Sequence, residues 1–481
     1  MTSLSHLLTD PIFTHVGEVA ASMGRECYVV GGYVRDLILR RHSKDIDFVT
    51  VGSGIELAEA VAASLGKGTN LSVFHTYGTA QVKRHSMELE FVGARRESYT
   101  RDSRNPIVED GTLEEDIARR DFTINAMALS VTPDSFGELI DLYGGTEDIC
   151  DRIIRTPLDP DITFSDDPLR MMRAIRFATQ LNFTIYPDTF EAICRNAERI
   201  HIITRERIAD ELNKIMLSPR PSIGWNLLMQ SGLLEIILPE LQALRGVETV
   251  RGRGHKDNFY HTLDVLDNVA RNSDNLWLRW AALLHDIGKP VTKRWDDKIG
   301  WTFHNHNFVG SKMVPGIFSR LKLPMGAEMK YVKKLVDLHM RPMAMGDETV
   351  TDSAVRRLMN YAEGDLVDLM ILARADITSK NEAKKQRFLD NFDIVDRKYA
   401  EVKALDNYRA FRPALNGDHI KRLFGLPQSP ALGELMKAMT QAARDCEIEN
   451  TPAGCLEFLL KLGAEKGYSA DPAAIAEIQS I

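Results

Sequence analysis

Val29-Val30-Gly31-Gly32-Tyr33-Val34-Arg35-Asp36, followed shortly by Lys44-Asp45-Ile46-Asp47-Phe48-Val49, is the stretch whose reading decides the fold. A short apolar run ending in paired glycines ahead of a helix-like segment lets backbone N–H groups approach an anionic ligand, as phosphate-binding loops do. Asp45 and Asp47 lie two apart in an apolar strand, so side-chain alternation turns both to one face while Ile46 points into the core. Two carboxylates on one face are a poor structural choice and a good site for Mg²⁺. Either half alone is an ordinary glycine turn or a polar strand; together they point to a phosphate cradle beside a metal site.

Around this stretch the β-like runs Cys27 to Val30, Ile46 to Val51, Leu71 to Phe74, Thr79 to Val82 and Met87 to Val92 alternate with helical patterns at Val34 to Arg41 and Ile55 to Leu65. That mixture indicates a compact α/β head. Residues 1 to about 24 read as an amphipathic helix with Leu7, Leu8, Ile12, Phe13 and Val16 on one side. In the run Met87 to Val92, Glu88 or Glu90 can lie beside the aspartates as a third carboxylate, exposure being the commoner fate of Glu88. From Arg95 to Ala118, with Arg96, Tyr99, Arg101, Arg104 and Pro106, the pattern breaks into a charged segment read as a long functional loop. It ends in Arg119-Arg120-Asp121-Phe122-Thr123-Ile124-Asn125. There the arginines suit a triphosphate or RNA phosphate, and Asp121 suits a ribose hydroxyl. Asp141 to Gly145 is a glycine turn ahead of Ile153-Ile154-Arg155.

Beyond about residue 160 the chain turns helical. Asp166-Asp167-Pro168-Leu169-Arg170-Met171-Met172-Arg173 places acidic residues at a helix start, where the macrodipole favours them. Asp167 and Arg170, three apart, offer an acceptor and a fork of donors to the edge of a base. The charged helix from Arg205 to Leu212 reads as a solvated face. A second constellation begins near His255. His261, the adjacent pair His285-Asp286, and later His304, His306, His339 and Asp376 all lie in helical surroundings. A His-Asp pair closing an apolar helix is costly without a compensating partner, and imidazole plus carboxylate suits Mn, Fe, Ni or Zn better than Mg alone. After about residue 400, helical patterns flank a break at Leu426 to Pro430.

Composition bounds the function. The 481 residues, 44% hydrophobic and 27% charged, are those of a multi-domain globular protein. The N-terminus lacks the charged and apolar regions of a signal peptide, and no apolar run approaches a membrane span, so the expected location is the cytoplasm and no membrane partner is expected. Cys27, Cys150, Cys194, Cys446 and Cys455 lack metal or disulfide spacing and read as reduced, buried thiols. A net charge of −8 gives no global attraction to nucleic acid, so RNA binding requires local basic patches.

With these motifs in place, nearly the whole chain resembles the class II tRNA nucleotidyltransferases, the CCA-adding enzymes and their poly(A) polymerase relatives, in the form carrying an HD domain. The resemblance implies an α/β, polymerase-beta-like head over 1–155, a helical neck over 156–250, an HD domain over 251–400 and a helical tail over 401–481. It assigns Asp45 and Asp47 as metal-holding catalytic residues with Glu90 as their third carboxylate. Gly31, Gly32, Arg35, Arg119, Arg120, Asp121, Asn125, Asp167, Arg170 and Arg173 are implied to bind the nucleotide, and Asp141 to Gly145 to form a hinge. Asp167 and Arg170 would serve as a protein template for the base. The sequence departs from the family at Asp166, where the motif has Glu, which bears on the support of Arg170. His261, His285, Asp286 and Asp376 fit the H…HD…D metal pattern of phosphohydrolases. The implied partners are the tRNA 3′ end, CTP and ATP. The implied cofactors are Mg²⁺ in the head and a transition metal such as Ni²⁺ or Mn²⁺ in the HD site. CC-only enzymes have a shortened loop before Arg-Arg-Asp, so the length of Arg95 to Ala118 favours full CCA or A addition. Phe74-His75-Thr76-Tyr77-Gly78-Thr79-Ala80 stands where poly(A) polymerases have a Gly-Arg-Arg-Phe-like stretch, which lowers that alternative.

Overall fold

The paired glycines end a strand and begin a helix, and the sheet is built outward from that junction. The structure, a computed structural model, describes residues 3–43, 45–85, 87–98, 107–251, 253–254, 257–344, 351–378, 382–410, 412–444 and 447–480. Lys44, Tyr99, Arg101, Arg104, Pro106, His255 and Cys446 lie outside the described residues. The chain divides into two compact units, residues 1–343 with 364–386, and residues 344–363 with 387–481.

In the first unit the head runs α1 (Pro11–Ser22), β1 (Cys27–Val30), α2 (Gly32–Ile38), β2 (Asp45–Thr50), α3 (Gly54–Leu65), β3 (Thr69–Phe74), β4 (Thr79–Arg84) and β5 (Met87–Gly93). It continues with β6 (Arg95–Ser98), β7 (Ile107–Asp110), α4 (Leu113–Ala118), β8 (Met127–Ser130), β9 (Leu139–Asp141), α5 (Gly145–Asp151) and β10 (Ile153–Ile154). Seven strands form one sheet in the order β3-β4-β5-β2-β1-β8-β9, in which β2 and β5 are parallel and the other neighbours antiparallel. Along β2 the alternation holds. Ile46 and Phe48 are buried, Phe48 stacking on Phe91 at 5.1 Å, while Asp45 is exposed and Asp47 half-buried on the opposite face. On that opposite face Val30, Val49, Ala126 and Ala128 pack with Leu113 and Ile117 of α4.

Two expectations for the head need correction. The N-terminal helix begins at Pro11, because Asp10 accepts a hydrogen bond from Ile12 N and Pro11 fits the first turn; Ser5–Leu7 is only a 3₁₀ turn. The described parts of Arg95 to Ala118 are ordered elements instead of loop. β6 and β7 pair with Arg96 opposite Glu109 at 2.6 Å, and α4 starts on a capping box between Thr112 and Glu115. The ladder sets Arg95 opposite Asp110 and Arg96 opposite Glu109, a charged register that lacks the period-2 alternation of a half-buried strand.

The following segment is helical. It comprises α6 (Pro160–Asp166), α7 (Leu169–Leu181), α8 (Pro187–Asn196), α9 (Arg205–Met216), α10 (Pro221–Gln230), α11 (Leu233–Ile237) and α12 (Pro239–Gln242), interrupted by the short strand β11 (Thr184–Ile185) that pairs with β10. Asp166 closes α6 and does not start a helix; Asp167 alone serves the next one, accepting from Leu169 N at 3.1 Å. The charged face of α9 is not wholly solvated, since Glu211 is buried against Arg176 at 2.6 Å. Next come α13 (Asn258–Ala270), α14 (Leu276–Leu284) and the helices His306–Leu321, Ala327–Leu338 and Leu366–Asp376.

In the second unit, the helices Gly417–Phe424, Pro430–Arg444 and Pro452–Glu465 close over Leu423, Leu435, Met439 and Leu459, and the break at 426–430 separates the first two. Cys27 and Cys455 are buried free thiols, whereas Cys150 and Cys194 are exposed, contrary to expectation, on the outer sides of α5 and α8. Among the described residues no helix is long and apolar enough to cross a membrane.

Candidate active site and metal centre

The register of the head sheet builds the first site. Parallel pairing of β2 with β5 sets Asp45 beside Glu88 and Asp47 beside Glu90. Glu88 accepts from Lys83 at 2.9 Å and Gln81 at 3.2 Å, which leaves Glu90 as the candidate third carboxylate. Burial, then the Glu90 charge, pushes the Asp47 carboxyl up to about 6 against the pull of Arg120, with Asp45 adding to the rise. Asp45 and Asp47, with Glu90 in register beside Asp47, are oxygen donors of the kind that suits a divalent cation.

Val30 pairs with Asp47 across β1 and β2, so Gly31 follows directly above the carboxylate. Its φ is +74°, and a Cβ there would meet Arg120 Nη1 at 2.9 Å and Asp47 Oδ2 at 3.8 Å, so only glycine lets arginine and aspartate approach. The amide of Gly31 is committed to Met127 O at 3.3 Å. A phosphate cradle therefore falls to Gly32 and Tyr33, which open α2 and line the cleft, where first-turn amides lack intrahelical partners.

Arg119 and Arg120 are aimed by Asp116, a fully buried α4 residue that sequence reasoning missed. Its two oxygens accept from Arg119 and, at 2.9 Å, from Arg120; burial opposes its charge, but the two guanidiniums hold its carboxyl below the usual range. Asp121 turns inward. It accepts from Phe122 N at 2.9 Å, Asn125 Nδ2 at 3.0 Å, and Arg173 Nε and Nη2 at 2.7 Å. Four N–H groups match the lone-pair capacity of a carboxylate, so Asp121 pins the turn to α7 while lining the cleft. Burial alone would raise its carboxyl; Arg173 and Asn125 outweigh that and bring it to about 2. Arg35 is likewise held inward, donating to Asn125 Oδ1 at 2.7 Å and to both oxygens of Asp36.

The cleft these groups line has a volume of ≈ 510 Å³, within the range of small-ligand sites; Asp167 reaches it from the turn ahead of α7, and Arg170 and Arg173 from α7 itself. Arg170 donates to Arg119 O at 2.8 Å, which steadies its head. Phe177 was also missed. Arg35, Arg173 and Arg176 lie over its ring at 5.0, 5.5 and 4.0 Å, so one aromatic packs the arginine cluster. Its only sequence signal was its place at the end of the Asp-Pro-Leu-Arg run. Arg207 of α9, dismissed as solvated, lines the same cleft, which is the local basic patch that the overall charge required. At Asp141 to Gly145 the carboxylate accepts from Gly145 N at 2.7 Å and Thr146 N at 2.8 Å, capping α5. That is a firm turn; hinge motion there is untouched by these contacts.

The second site gathers His261 of α13, His285 and Asp286 beyond α14, His306 and His339 at helix ends, and Asp376. His304 is exposed and stays outside. His261 Nε2 lies 2.8 Å from Asp376 Oδ1 and 3.6 Å from Asp286 Oδ2, and His285 Nε2 lies 3.3 Å from Asp286 Oδ2. Burial disfavours a charge on His285, yet Asp286 and Asp376 raise it to about 10; burial and His285 push His339 down to about 4. His285 Nε2 and Asp286 Oδ1 are buried without a hydrogen-bond partner. Buried imidazole and carboxylate atoms left unsatisfied in this way are borderline donors that fit a transition-metal cation once His285 gives up its proton.

Residues 27–155 match the Poly A polymerase head domain, residues 182–244 the family described as a probable RNA and SrmB-binding site of polymerase A, and residues 258–381 the HD domain. The chain is 32% identical to an A-adding tRNA nucleotidyltransferase of Deinococcus radiodurans over 91% of its own length and 95% of the relative's. It is 31% identical to a CC-adding tRNA nucleotidyltransferase of Thermus thermophilus, over 93% and 96%. A crystal structure of a tRNA nucleotidyltransferase complexed with a primer tRNA and an incoming ATP analog superposes with a TM-score of 0.57 at 26% identity, covering 81% of this chain and 99% of the other.

Proposed function

The chain belongs to the tRNA nucleotidyltransferases and is a nucleotidyltransferase enzyme, and we propose that it adds or repairs the 3′-terminal CCA of tRNA from CTP and ATP without a nucleic-acid template. The carrying observation is that Asp45 and Asp47 line an arginine-rich cleft of nucleotide size, with Glu90 in register beside Asp47. Mg²⁺ held by Asp45 and Asp47 would acidify the 3′-hydroxyl and neutralise the departing pyrophosphate. Arg119 and Arg120 hold the triphosphate in line, which is most of what phosphoryl transfer asks of a protein. Asp167 accepts from the exocyclic amine shared by cytosine and adenine, and Arg170 donates beside it. Guanine and uracil present a carbonyl there. Replacing Asp167 by alanine is expected to reduce discrimination against UTP and GTP by about 10- to 100-fold, the equivalent of about 1–3 kcal/mol. The kcat/KM values for four nucleotides measure it; an unchanged ratio removes Asp167 from base reading.

The HD centre supports a second activity in the same chain, hydrolysis of 2′,3′-cyclic or terminal phosphates with Ni²⁺ or Mn²⁺. Both activities place the enzyme with tRNA in the cytoplasm. The test supplies tRNA lacking its 3′ end, or ending in CC, with CTP, ATP or both. Incorporation of C, C and then A is expected in the full chain, lost in Asp45→Ala and kept in His285→Ala, with phosphate release showing the reverse pattern. Two relatives of similar identity are an A-adding and a CC-adding tRNA nucleotidyltransferase, which keeps partial addition as the second reading. Failure to extend one of the two substrates would establish it.

A further inference from the structure

The head carries a second cavity on the far side of its sheet. Along β4 and β5, Val82 pairs with Leu89 and Arg84 with Met87, so these side chains share the face that α1 and α3 cover, while Asp47 and Glu90 share the other. At the end of the sheet nearest Asp45, a cavity of ≈ 550 Å³ lies between the start of α1, the last turn of α3 and the β4–β5 turn. It is as large as the nucleotide cleft and shares no lining residue with it. Ile12, Leu65, Met87 and Leu89 give it an apolar wall, of which Ile12 and Leu89 are buried.

Two polar atoms on this face are orphaned. Arg84 Nε is buried without a hydrogen-bond partner, and so is the hydroxyl of Thr69, the residue directly opposite Arg84 on β3. A guanidinium N–H only donates, so the place of an acceptor beside Arg84 is unfilled. The polar groups of the rim are engaged elsewhere. Asp10 caps α1 by accepting from Ile12 N at 2.9 Å, and Ser64 donates its one proton to Val61 O at 2.8 Å, so that His15 Nε2 donates to Ser64 Oγ at 2.8 Å. His85 lines the cavity from the hairpin turn, where its φ of +54° is a conformation that Asn or Gly adopts more readily.

We propose that this cavity binds an organic anion, a single carboxylate or phosphate head on an apolar body, with the head on Arg84 and the body against Ile12, Leu65, Met87 and Leu89. A guanidinium fork matches either head, and an apolar wall with one convergent charged group is the make-up of a small-ligand site. Other occupants fit the lining less well. A wholly apolar molecule leaves Arg84 Nε without its acceptor, and inorganic phosphate leaves the apolar wall wet. A nucleoside triphosphate brings more negative charge than one arginine answers and carries it towards Asp10. The site is independent of the nucleotide cleft and of the activity proposed for it.

The test titrates the full chain with anilinonaphthalene sulfonate, an aromatic anion that fluoresces on entering apolar surroundings, and then competes it with octanoate, octyl phosphate or octylamine. Saturable binding is expected, weakened about 10- to 100-fold by Arg84→Met, which keeps the apolar stem and removes the charge-assisted bonds. Leu65→Trp, which fills the cavity, should abolish it. Both variants are expected to incorporate nucleotide at the unsubstituted rate, which shows that they fold. Displacement by octanoate identifies a carboxylate site and displacement by octyl phosphate a phosphate site, and either supports the proposal. Octylamine displacing as well as the anions do, or an unchanged dissociation constant in Arg84→Met and Leu65→Trp, overturns it. Binding that ignores Arg84→Met and falls in Arg120→Ala also overturns it, because the probe then occupies the nucleotide cleft.

Discussion

Replacing Asp47 by asparagine is expected to lower nucleotide incorporation by at least about 10³-fold, the order lost when a transition-state charge stabiliser of phosphoryl transfer is removed. The same change is expected to make the chain more stable at pH 7.5 without divalent cation. Its carboxyl is raised to about 6, first by burial and then by Glu90. A raised carboxyl means that the folded state keeps a proton the unfolded chain has already lost. The cost of the Asp47 charge is therefore absent below about pH 4, grows between pH 4 and 6, and is complete above. Asp47 is only half-buried, so this cost is on the order of 1–2 kcal/mol, less than the full shift would give. Melting curves should show Asp47→Asn a few degrees above the unsubstituted chain, and Mg²⁺ should narrow that gap by stabilising only the latter. A variant that melts lower, or keeps activity within tenfold, would contradict the assignment of Asp47 to the metal group.

That opposition of activity and stability explains what the sequence made legible. Asp45, Ile46 and Asp47 could be placed on their faces because strand alternation is a local rule, and the head strands lie where the apolar runs put them. Residue pattern alone left Glu88 and Glu90 open and the resemblance chose Glu90; its place beside Asp47 depends on the β2–β5 register, which is parallel and so joins segments some forty residues apart. Asp116 and Glu211 were illegible for the opposite reason. A carboxylate on a charged helix looks solvated until its guanidinium partners, Arg119 and Arg120 or Arg176, are seen to bury it. His306 could not be separated from His304 by pattern, since both precede a helix; only His306 sends its ring into the core to meet His339. The resemblance supplied Asp121 and Arg35 as nucleotide ligands. Their hydrogen bonds, which no sequence pattern announces, join α2, the turn at Asn125 and α7 into one network at the cleft.

Asp121→Ala is accordingly expected to act first on stability. The substitution leaves Asn125 Nδ2 and Phe122 N without an acceptor and Arg173 without its partner. Arg173 keeps water on one side, so the loss falls at the lower end for a buried ion pair, about 3 kcal/mol, read as a lower urea midpoint at pH 7. The carboxyl lies at about 2 in the folded chain, below its unfolded value. Its contribution is therefore present above about pH 4 and disappears as pH falls from 4 to 2. The unsubstituted chain should lose about 2 kcal/mol more than the variant across that window. Arg173→Ala should be coupled to Asp121→Ala in a double-mutant cycle, because the two side chains act as one unit. A residue that only accepted a ribose hydroxyl would behave differently. Its removal would raise KM for both nucleotides and leave the urea midpoint, the acid limb and the coupling energy unmoved, an outcome that would return Asp121 to the nucleotide and remove it from the scaffold.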